Sequence, residues 1–381
     1  MIFLRCFLHD ISYFCAMNSL MGLIFLVIPL LGCSFVGWHV WMILPFGSVY
    51  KAVILGLMIL AFLCIFFNFF IGLDGLPTIV ARIFYEIGYS SLFILLYLFM
   101  LFLLADVARW IGILPREYLH ASGVGSLVVL LLIVGIFTYG NLHYYNKVKV
   151  PIALKSSKRL KQPVKMVMVS DIHLGYHNTR TDLAKWVDMI NAEKPDYVLI
   201  AGDIVDGDVR PVLAADLAST INQIQAPIYA CLGNHEYIGG EAHQRAFVSQ
   251  TKIQLLSDSV TLTPEGVYII GRDDASNKDR QSLQMLTDKL DHRYPSILLN
   301  HQPYHLEEAE QAGIDLQISG HTHRGQVFPF NLVVDFMYEQ AHGYHRRGNT
   351  QYYVSSGIGI WGGKYRIGTQ SEYAVISLKG H

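Results

Sequence analysis

Charge is what the first part of this sequence lacks: between Ile11 and Tyr50 there is no Asp, Glu, Lys or Arg at all. Such a stretch excludes an ordinary water-facing surface, which draws heavily on those four residue types. The whole-chain values, 52% hydrophobic and 15% charged, average over two unlike halves. From Lys147 onward charged residues recur every few positions and apolar runs shrink to strand length. Cysteine is scarce as well. Of five, Cys6, Cys15, Cys33 and Cys64 lie in the apolar half and Cys231 stands alone in the polar half. A disulfide within the polar half is thereby excluded, and no CxxC metal spacing occurs. Cys231 reads as a small buried strand residue, in keeping with a reducing compartment. A concentrated basic face is also missing, the net charge being −1, so no nucleic-acid partner is expected.

What the apolar half does have is length. A bilayer core about 30 Å thick takes roughly 20 apolar residues as a helix. Four stretches qualify: 20–40, 52–73, 87–105 and 121–142. Helices buried in a globular core would need an amphipathic face toward water, and these leave almost none. The expected organisation is a transmembrane region of about four helices over 1–142, a basic linker over 143–163 and a second domain over 164–381. Residues 1–16 carry Arg5, His9 and Asp10 and look unlike the apolar stretch after them, so Met17 and Met21 are alternative starts. Among polar residues within the spans, Asn68 is the main exception, and a single amide more often bonds a neighbouring helix than lines an ion path.

Orientation follows from Lys and Arg near the span ends. With four spans, Arg5, Arg82, Lys147, Lys149, Lys155, Lys158, Arg159, Lys161 and Lys165 share one side, against Lys51, Arg109 and Arg116 on the other. That bias predicts a second domain on the cytoplasmic face.

From Val164 short apolar runs alternate with amphipathic segments. The runs cover 164–169, 197–201, 227–231, 267–270, 297–299 and 316–319, then 352–355 and 373–378, with helical patterns at 182–192 and 213–224. Pro195 and Pro227 stop helices just before strands. The alternation predicts an α/β domain with a sheet at its core. Each early run ends in possible ligands. Ser170-Asp171-Ile172-His173 follows the first, Gly202-Asp203-Ile204-Val205-Asp206 the second and Gly233-Asn234-His235-Glu236 the third. Asn300-His301 and Gly320-His321-Thr322-His323 follow two more. Carboxyl ends of strands are where α/β sheets bind ligands. Asp171 and His173 are two apart, so a strand-like segment would point both the same way, as it would His321 and His323. One such group alone is usually a helix cap or a satisfied core residue. Five in order, three of them led by a glycine that lets the backbone turn closely, point to a metal site.

The series D-x-H, G-D-x-x-D, G-N-H-[DE], a lone His and G-H-x-H, over residues 164–378, resembles the calcineurin-like metallophosphoesterase family. The resemblance implies an α/β fold: an αββα sandwich with a dinuclear metal site at its edge, behind the four-helix transmembrane unit. It implies that Asp171, His173, Asp203 and His323 hold one metal and that Asp203 bridges to a second held by Asn234, His301 and His321. It gives His235 a place facing the scissile phosphate. The architecture is similar to a bacterial membrane-anchored subgroup, which implies an integral, multi-pass protein of a bacterial inner membrane.

Phosphoester hydrolysis needs such a set, because water is a poor nucleophile at neutral pH and the phosphate anion repels hydroxide. Two divalent cations lower the pKa of a water and neutralise the phosphate oxygens. Ligands of His, Asp and Asn without thiolate suit Mn²⁺, Fe or Zn²⁺. His235 has the chemistry to protonate the leaving oxygen. Asp206 and Glu236 are candidates for bonds that fix His tautomers or for plain caps. Arg324 and residues 342–347 could grip a phosphate or simply form a solvated loop, and 355–359 reads as a turn. The expected activity is that of a membrane-anchored phosphodiesterase or pyrophosphatase. Its substrate would be phosphorylated and lipid-linked, such as UDP-2,3-diacylglucosamine, although the dedicated soluble enzymes for that compound usually carry Arg where His235 stands. The alternatives are a phosphoprotein phosphatase and a membrane sensor with a vestigial hydrolase domain. The sensor would show a lost ligand, and none is lost.

Overall fold

The structure, a computed structural model, describes residues 19–67, 72–73 and 75–380, with side chains of the first helix described from Leu30. The readings made on Arg5, Cys6, Cys15, Asn68 and the alternative starts Met1 and Met17 lie outside the described residues. Two units form, Met1–Gly140 and Asn141–His381.

The first unit is helical: α1 (Ser19–Ile43), α2 (Ser48–Phe66), α3 (Thr78–Trp110) and α4 (Gly123–Tyr145), whose last turn belongs to the second unit. Three of these, α2, α3 and α4, are long and apolar enough to cross a membrane. The described apolar part of α1, Leu30–Ile43, is shorter than a span. Three of the four expected spans are therefore present by length and composition. Val53, Leu57, Leu60 and Leu63 on α2 each leave half or more of their surface uncovered. Water would penalise that at roughly 25 cal/mol per Å², whereas hydrocarbon does not. At 1.5 Å per residue α3 runs to about 50 Å, well beyond a bilayer core. Its charges accordingly sit toward its ends, with Arg82 and Glu86 paired at 2.8 Å and Asp106 accepting from His39 of α1 at 3.0 Å.

Among the described residues the second unit holds twelve strands. Six form one sheet in the order β1 (Lys147–Ser156), β12 (Ser371–Gly380), β2 (Val164–Val169), β3 (Tyr197–Ala201), β4 (Ile228–Cys231) and β5 (Ile253–Leu255). The other six run β10 (Gly343–Arg347), β11 (Thr350–Val354), β9 (Leu316–Ser319), β8 (Ser296–Leu299), β7 (Tyr268–Gly271) and β6 (Ser259–Leu262). Side-chain alternation builds the layers. Met166 and Met168 of β2 point between the sheets with Leu199, Cys231, Leu299 and Ile318, while Val167 and Val169 point outward to Leu183, Trp186 and Ile190 of helix α5 (Arg180–Ala192). Short helices cover the outer face of the other sheet through Leu283, Leu286 and Leu306. The layers are thus helix, sheet, sheet, helix, with Cys231 fully buried as expected.

Strands β2, β3 and β4 are parallel, as are β8 and β9. Pairing of Val169 with Ile200, Ala201 with Cys231 and Leu299 with Ile318 brings their carboxyl ends level. All five ligand-bearing loops therefore leave at one edge of the two sheets.

Two expectations change. Much of the 143–163 stretch is strand and not linker. β1 pairs in parallel with β12 from Lys147 opposite Ser371 to Ser156 opposite Gly380, burying Ile152 and Leu154 while alternate residues face out. The helical pattern at 213–224 is two short helices, Arg210–Ala214 and Leu217–Ile221, broken at Asp216 with φ 43°. If β1 is an integral strand, Ile152→Ala removes packing between the sheets. Loss of about 2–4 kcal/mol is then expected in denaturant unfolding of the detergent-solubilised protein. An unchanged midpoint would return the segment to linker status.

Candidate metal centre

Each motif residue stands in the first few positions after a strand, and the backbone there is unusual. Asp171 (φ 52°), His173 (φ 46°), Asp203 (φ 53°), His321 (φ 73°) and His323 (φ 46°) all adopt left-handed conformations. Such residues cost roughly 1–3 kcal/mol each and concentrate at functional sites. This corrects the local geometry expected for D-x-H and H-x-H. Asp171 and His173 meet around His323 as left-handed loop residues, not as a continuing strand, whereas His321 and His323 turn to opposite sides of Asp203. Glycine makes room for the approach. Gly202 has φ +80°, and a Cβ there would lie 2.5 Å from His301 Nδ1; at Gly233 one would lie 2.1 Å from Asp203 Oδ1.

The structure brings all eight expected residues together. Asp203 is central and buried. Its Oδ2 lies 3.5 Å from His173 Nε2 and 3.1 Å from His301 Nε2, while its Oδ1 accepts from the His235 amide at 3.0 Å. On one side His173 Nε2 is 3.1 Å from His323 Nε2, which is 3.5 Å from Asp171 Oδ1. On the other, Asn234 Oδ1 lies 3.2 Å from His301 Nε2 and 2.8 Å from His321 Nδ1. Asp171 is held by the Ser170 hydroxyl and, at 2.8 Å, by the His321 amide. The sets Asp171–His173–His323 and Asp171–Asp203–His301 each present donor atoms close enough to hold a cation, and His173–Asp203–His235 forms a third.

The tautomers test whether a cation fits. His301 Nδ1 is 2.7 Å from the carbonyl of Ala201, which can only accept. The proton is therefore on Nδ1, and Nε2 turns a lone pair toward the oxygens of Asp203 and Asn234. His173 Nδ1 faces Asp206 Oδ1 at 3.0 Å, so its Nε2 likewise presents a lone pair to Asp203. Acceptors aimed at one another about 3 Å apart require something positive among them. The residues fit divalent cations.

Charge makes the same demand. Burial, with Asp203 beside it, pushes the Asp171 carboxyl up. Burial opposes ionisation of Asp203 too, but His301, His235 and His173 outweigh it and hold that carboxylate well below its usual range. The same carboxylates overcome burial at His301 and raise its pKa to about 10. His321 falls to about 3 through burial and the neighbouring His301. His323 is driven down by burial, His173 and Arg366. With no cation in place, the charge on doubly protonated His301 fills this need, and a bound cation would replace its Nε2 proton.

Some contributors carried little or no sequence signal. Asp206 was one of two candidates for orienting His, and it takes both His173 and His235, the latter at 3.1 Å. Glu236, the other, binds no His. It gathers the amides of Asp203, Ile204, Val205 and Gly233 at 2.7–3.1 Å and so clamps two ligand loops together. Asn178 donates to the carbonyls of Ile172 and His173, and nothing in its local sequence marks it. The 355–359 turn supplies the amides of Ile358 and Gly359 to Ser170 and Asp171.

Comparison with known proteins agrees with this geometry. The calcineurin-like phosphoesterase family matches residues 164–325. An uncharacterized metallophosphoesterase of Aquifex aeolicus is 30% identical over 229 residues, 57% of this chain and 85% of that one. The chain belongs to the calcineurin-like phosphoesterase family. An uncharacterized metallophosphoesterase of Campylobacter jejuni is 34% identical over 229 residues, 58% of this chain, and the chain spans 60% of that relative's length. A transmembrane protein with metallophosphoesterase domain from Danio rerio is 29% identical over 309 residues, covering 74% of this chain and 70% of that one.

Since Asp206 fixes the lone pair of His173, Asp206→Asn should weaken metal binding roughly 10–100-fold without unfolding the domain. Asp203→Asn should remove most bound metal. Metal content after dialysis against buffered Mn²⁺ distinguishes them, and parent-like affinity in Asp206→Asn would contradict the orienting role.

Proposed function

We propose that this calcineurin-like phosphoesterase is a membrane-anchored, metal-dependent hydrolase of phosphoester or phosphoanhydride bonds, with a lipid-linked substrate. Asp171, His173, Asp203 and His323 would hold one divalent cation. Asn234, His301 and His321 would hold a second, with Asp203 shared. The observation that carries this reading is the single Asp203 oxygen lying against His173 on one side and His301 on the other, 3.5 and 3.1 Å away. A pair of cations there supplies Lewis-acid chemistry, activating water and neutralising the phosphate. Every motif residue being retained speaks for a working centre and against a vestigial sensor.

The protein's own contribution to bond cleavage is proton transfer by His235. Its Nδ1 is 3.1 Å from Asp206 Oδ1, which leaves Nε2 as the free donor, and the side chain is 22% exposed. Burial opposes its protonation, but Asp203 and Asp206 prevail and lift its pKa to about 9. In the metal-free chain the ring is then charged at neutral pH, and with cations on Asp203 it is Asp206, 3.1 Å away, that would hold the proton. A protonated imidazole held this way can deliver its proton to a leaving alkoxide.

If so, His235→Ala keeps both metals and the fold, and kcat falls roughly 10²–10⁴-fold on esters with poor leaving groups. On nitrophenyl esters the loss is much smaller, because nitrophenolate departs without a proton. His301→Ala should lose metal and activity together on every substrate. A flat mutant-to-parent ratio across leaving groups, or metal loss in the His235 variant, removes the acid role.

The Lys and Arg bias supports a cytoplasmic catalytic domain, which we propose for a bacterial inner membrane. A cysteine added after His381 should then escape an impermeant thiol reagent in intact cells. Labelling of it reverses the orientation.

A further inference from the structure

The helix Phe330–Met337, sequence FNLVVDFM, has no buried residue. Phe336 is 91% exposed, Met337 65% and Leu332 57%, and Phe330, Val333 and the preceding Phe328 are exposed too. Scattered exposed apolar residues need no explanation, but a contiguous set on one short helix does.

Its position is fixed from both ends. At the N-terminal end a Cβ on Gly325 would lie 2.3 Å from the Phe330 carbonyl carbon, so the loop carrying His321 and His323 runs against the helix start. At the other end Tyr338 stacks on Tyr304, ring centroids 5.0 Å apart, and their hydroxyls meet at 2.7 Å. Both rings stand 6.3 Å from His321. The apolar helix therefore borders the metal centre, with a tyrosine pair between.

We infer that this helix seats in the headgroup–acyl boundary of the bilayer and that the scissile phosphoester is carried by a membrane lipid. The second part rests on the hydrolase reading above. The bilayer is the occupant because the chain brings it along: α4 is long and apolar enough to cross a membrane, and only Asn146 separates its last residue from β1. One residue reaches at most about 3.6 Å. The composition also fits. Phe, Leu, Val and Met on the helix, with Tyr338 at its end and Tyr304 stacked on that ring, are the residues that interfacial segments bury and rim. A lipid whose tail lies along the helix would bring its phosphate past the two tyrosines to the centre.

The test uses the full-length protein in phosphatidylcholine–phosphatidylglycerol nanodiscs, with p-benzoylphenylalanine in place of Phe336 or of Leu262. Leu262 is an exposed residue on β6, the far edge strand of the same unit. Irradiation should give a phospholipid adduct at 336 and none at 262. Equal adducts at both positions, no lipid adduct at 336, or an adduct there to a second protein chain overturns the membrane seat.

A second arm compares nitrophenyl methyl phosphate in solution with nitrophenyl hexadecyl phosphate in the disc. In the double variant Leu332→Ser/Phe336→Ser, kcat/KM should fall at least tenfold on the hexadecyl ester and stay unchanged on the methyl ester, which also reports an intact fold. Equal effects on both esters overturn the lipid substrate. Absence of turnover of either ester by the metal-loaded parent would sink the hydrolase reading and with it the lipid substrate, while the cross-link still decides the membrane seat.

Discussion

A carboxylate with almost no solvent contact, Asp203, lies between His173 and His301, whose Nδ1 protons are turned away from it. That arrangement is unfavourable for protein atoms alone, since lone pairs face lone pairs in a medium of low dielectric. It becomes favourable once positive charge enters. Most other features of the second unit serve to bring this about. Level strand ends deliver the loops, and glycines let them close to contact distance. Asp206 and the Ala201 carbonyl set the two tautomers that point the lone pairs inward.

The left-handed backbone at five of the expected ligand residues is a cost of the same kind. A structure tolerates it only where surrounding bonds over-determine the conformation. Here those bonds are visible. Glu236 accepts four amides from two loops. Asn178 receives a hydrogen bond at 2.7 Å from Tyr144, in the last turn of α4, and passes its own donors to the carbonyls of Ile172 and His173. Fully buried Arg366 donates to the carbonyl of His323 at 2.7 Å and to that of Ser356. Groups that never approach a cation thus hold the loops on which metal binding would depend.

The candidate ligand residues were legible because their chemistry restricts residue type and strands restrict their order. The D-x-H, G-N-H and G-H-x-H groups announce themselves even without a fold. Their conformation was not legible: a side-chain pattern carries no mark of positive φ, so a strand continuing through Asp171 and His173 was a reasonable but mistaken picture. The duty of Glu236 was hidden for a related reason, because its partners are backbone amides with no residue identity. β1 was overlooked although Val148, Val150, Ile152 and Leu154 alternate cleanly. Lysines at 147, 149 and 155 gave the stretch the look of a solvated linker, whereas Lys149 and Lys155 mark the exposed side of an edge strand and Lys147 packs over Tyr144 and Trp186. In the membrane unit, uninterrupted apolar length was enough to find α2, α3 and α4, since hydrocarbon asks for little else.

Sharing of Asp203 between two cations is the claim on which the chemistry rests, and electron paramagnetic resonance of the Mn²⁺-loaded full-length protein addresses it directly. Two Mn²⁺ ions joined through one carboxylate, about 3.5–4 Å apart, give an exchange-coupled multiline spectrum that appears as the second equivalent binds. That spectrum is expected for the parent. An isolated six-line Mn²⁺ signal that merely doubles between one and two equivalents would contradict a shared Asp203.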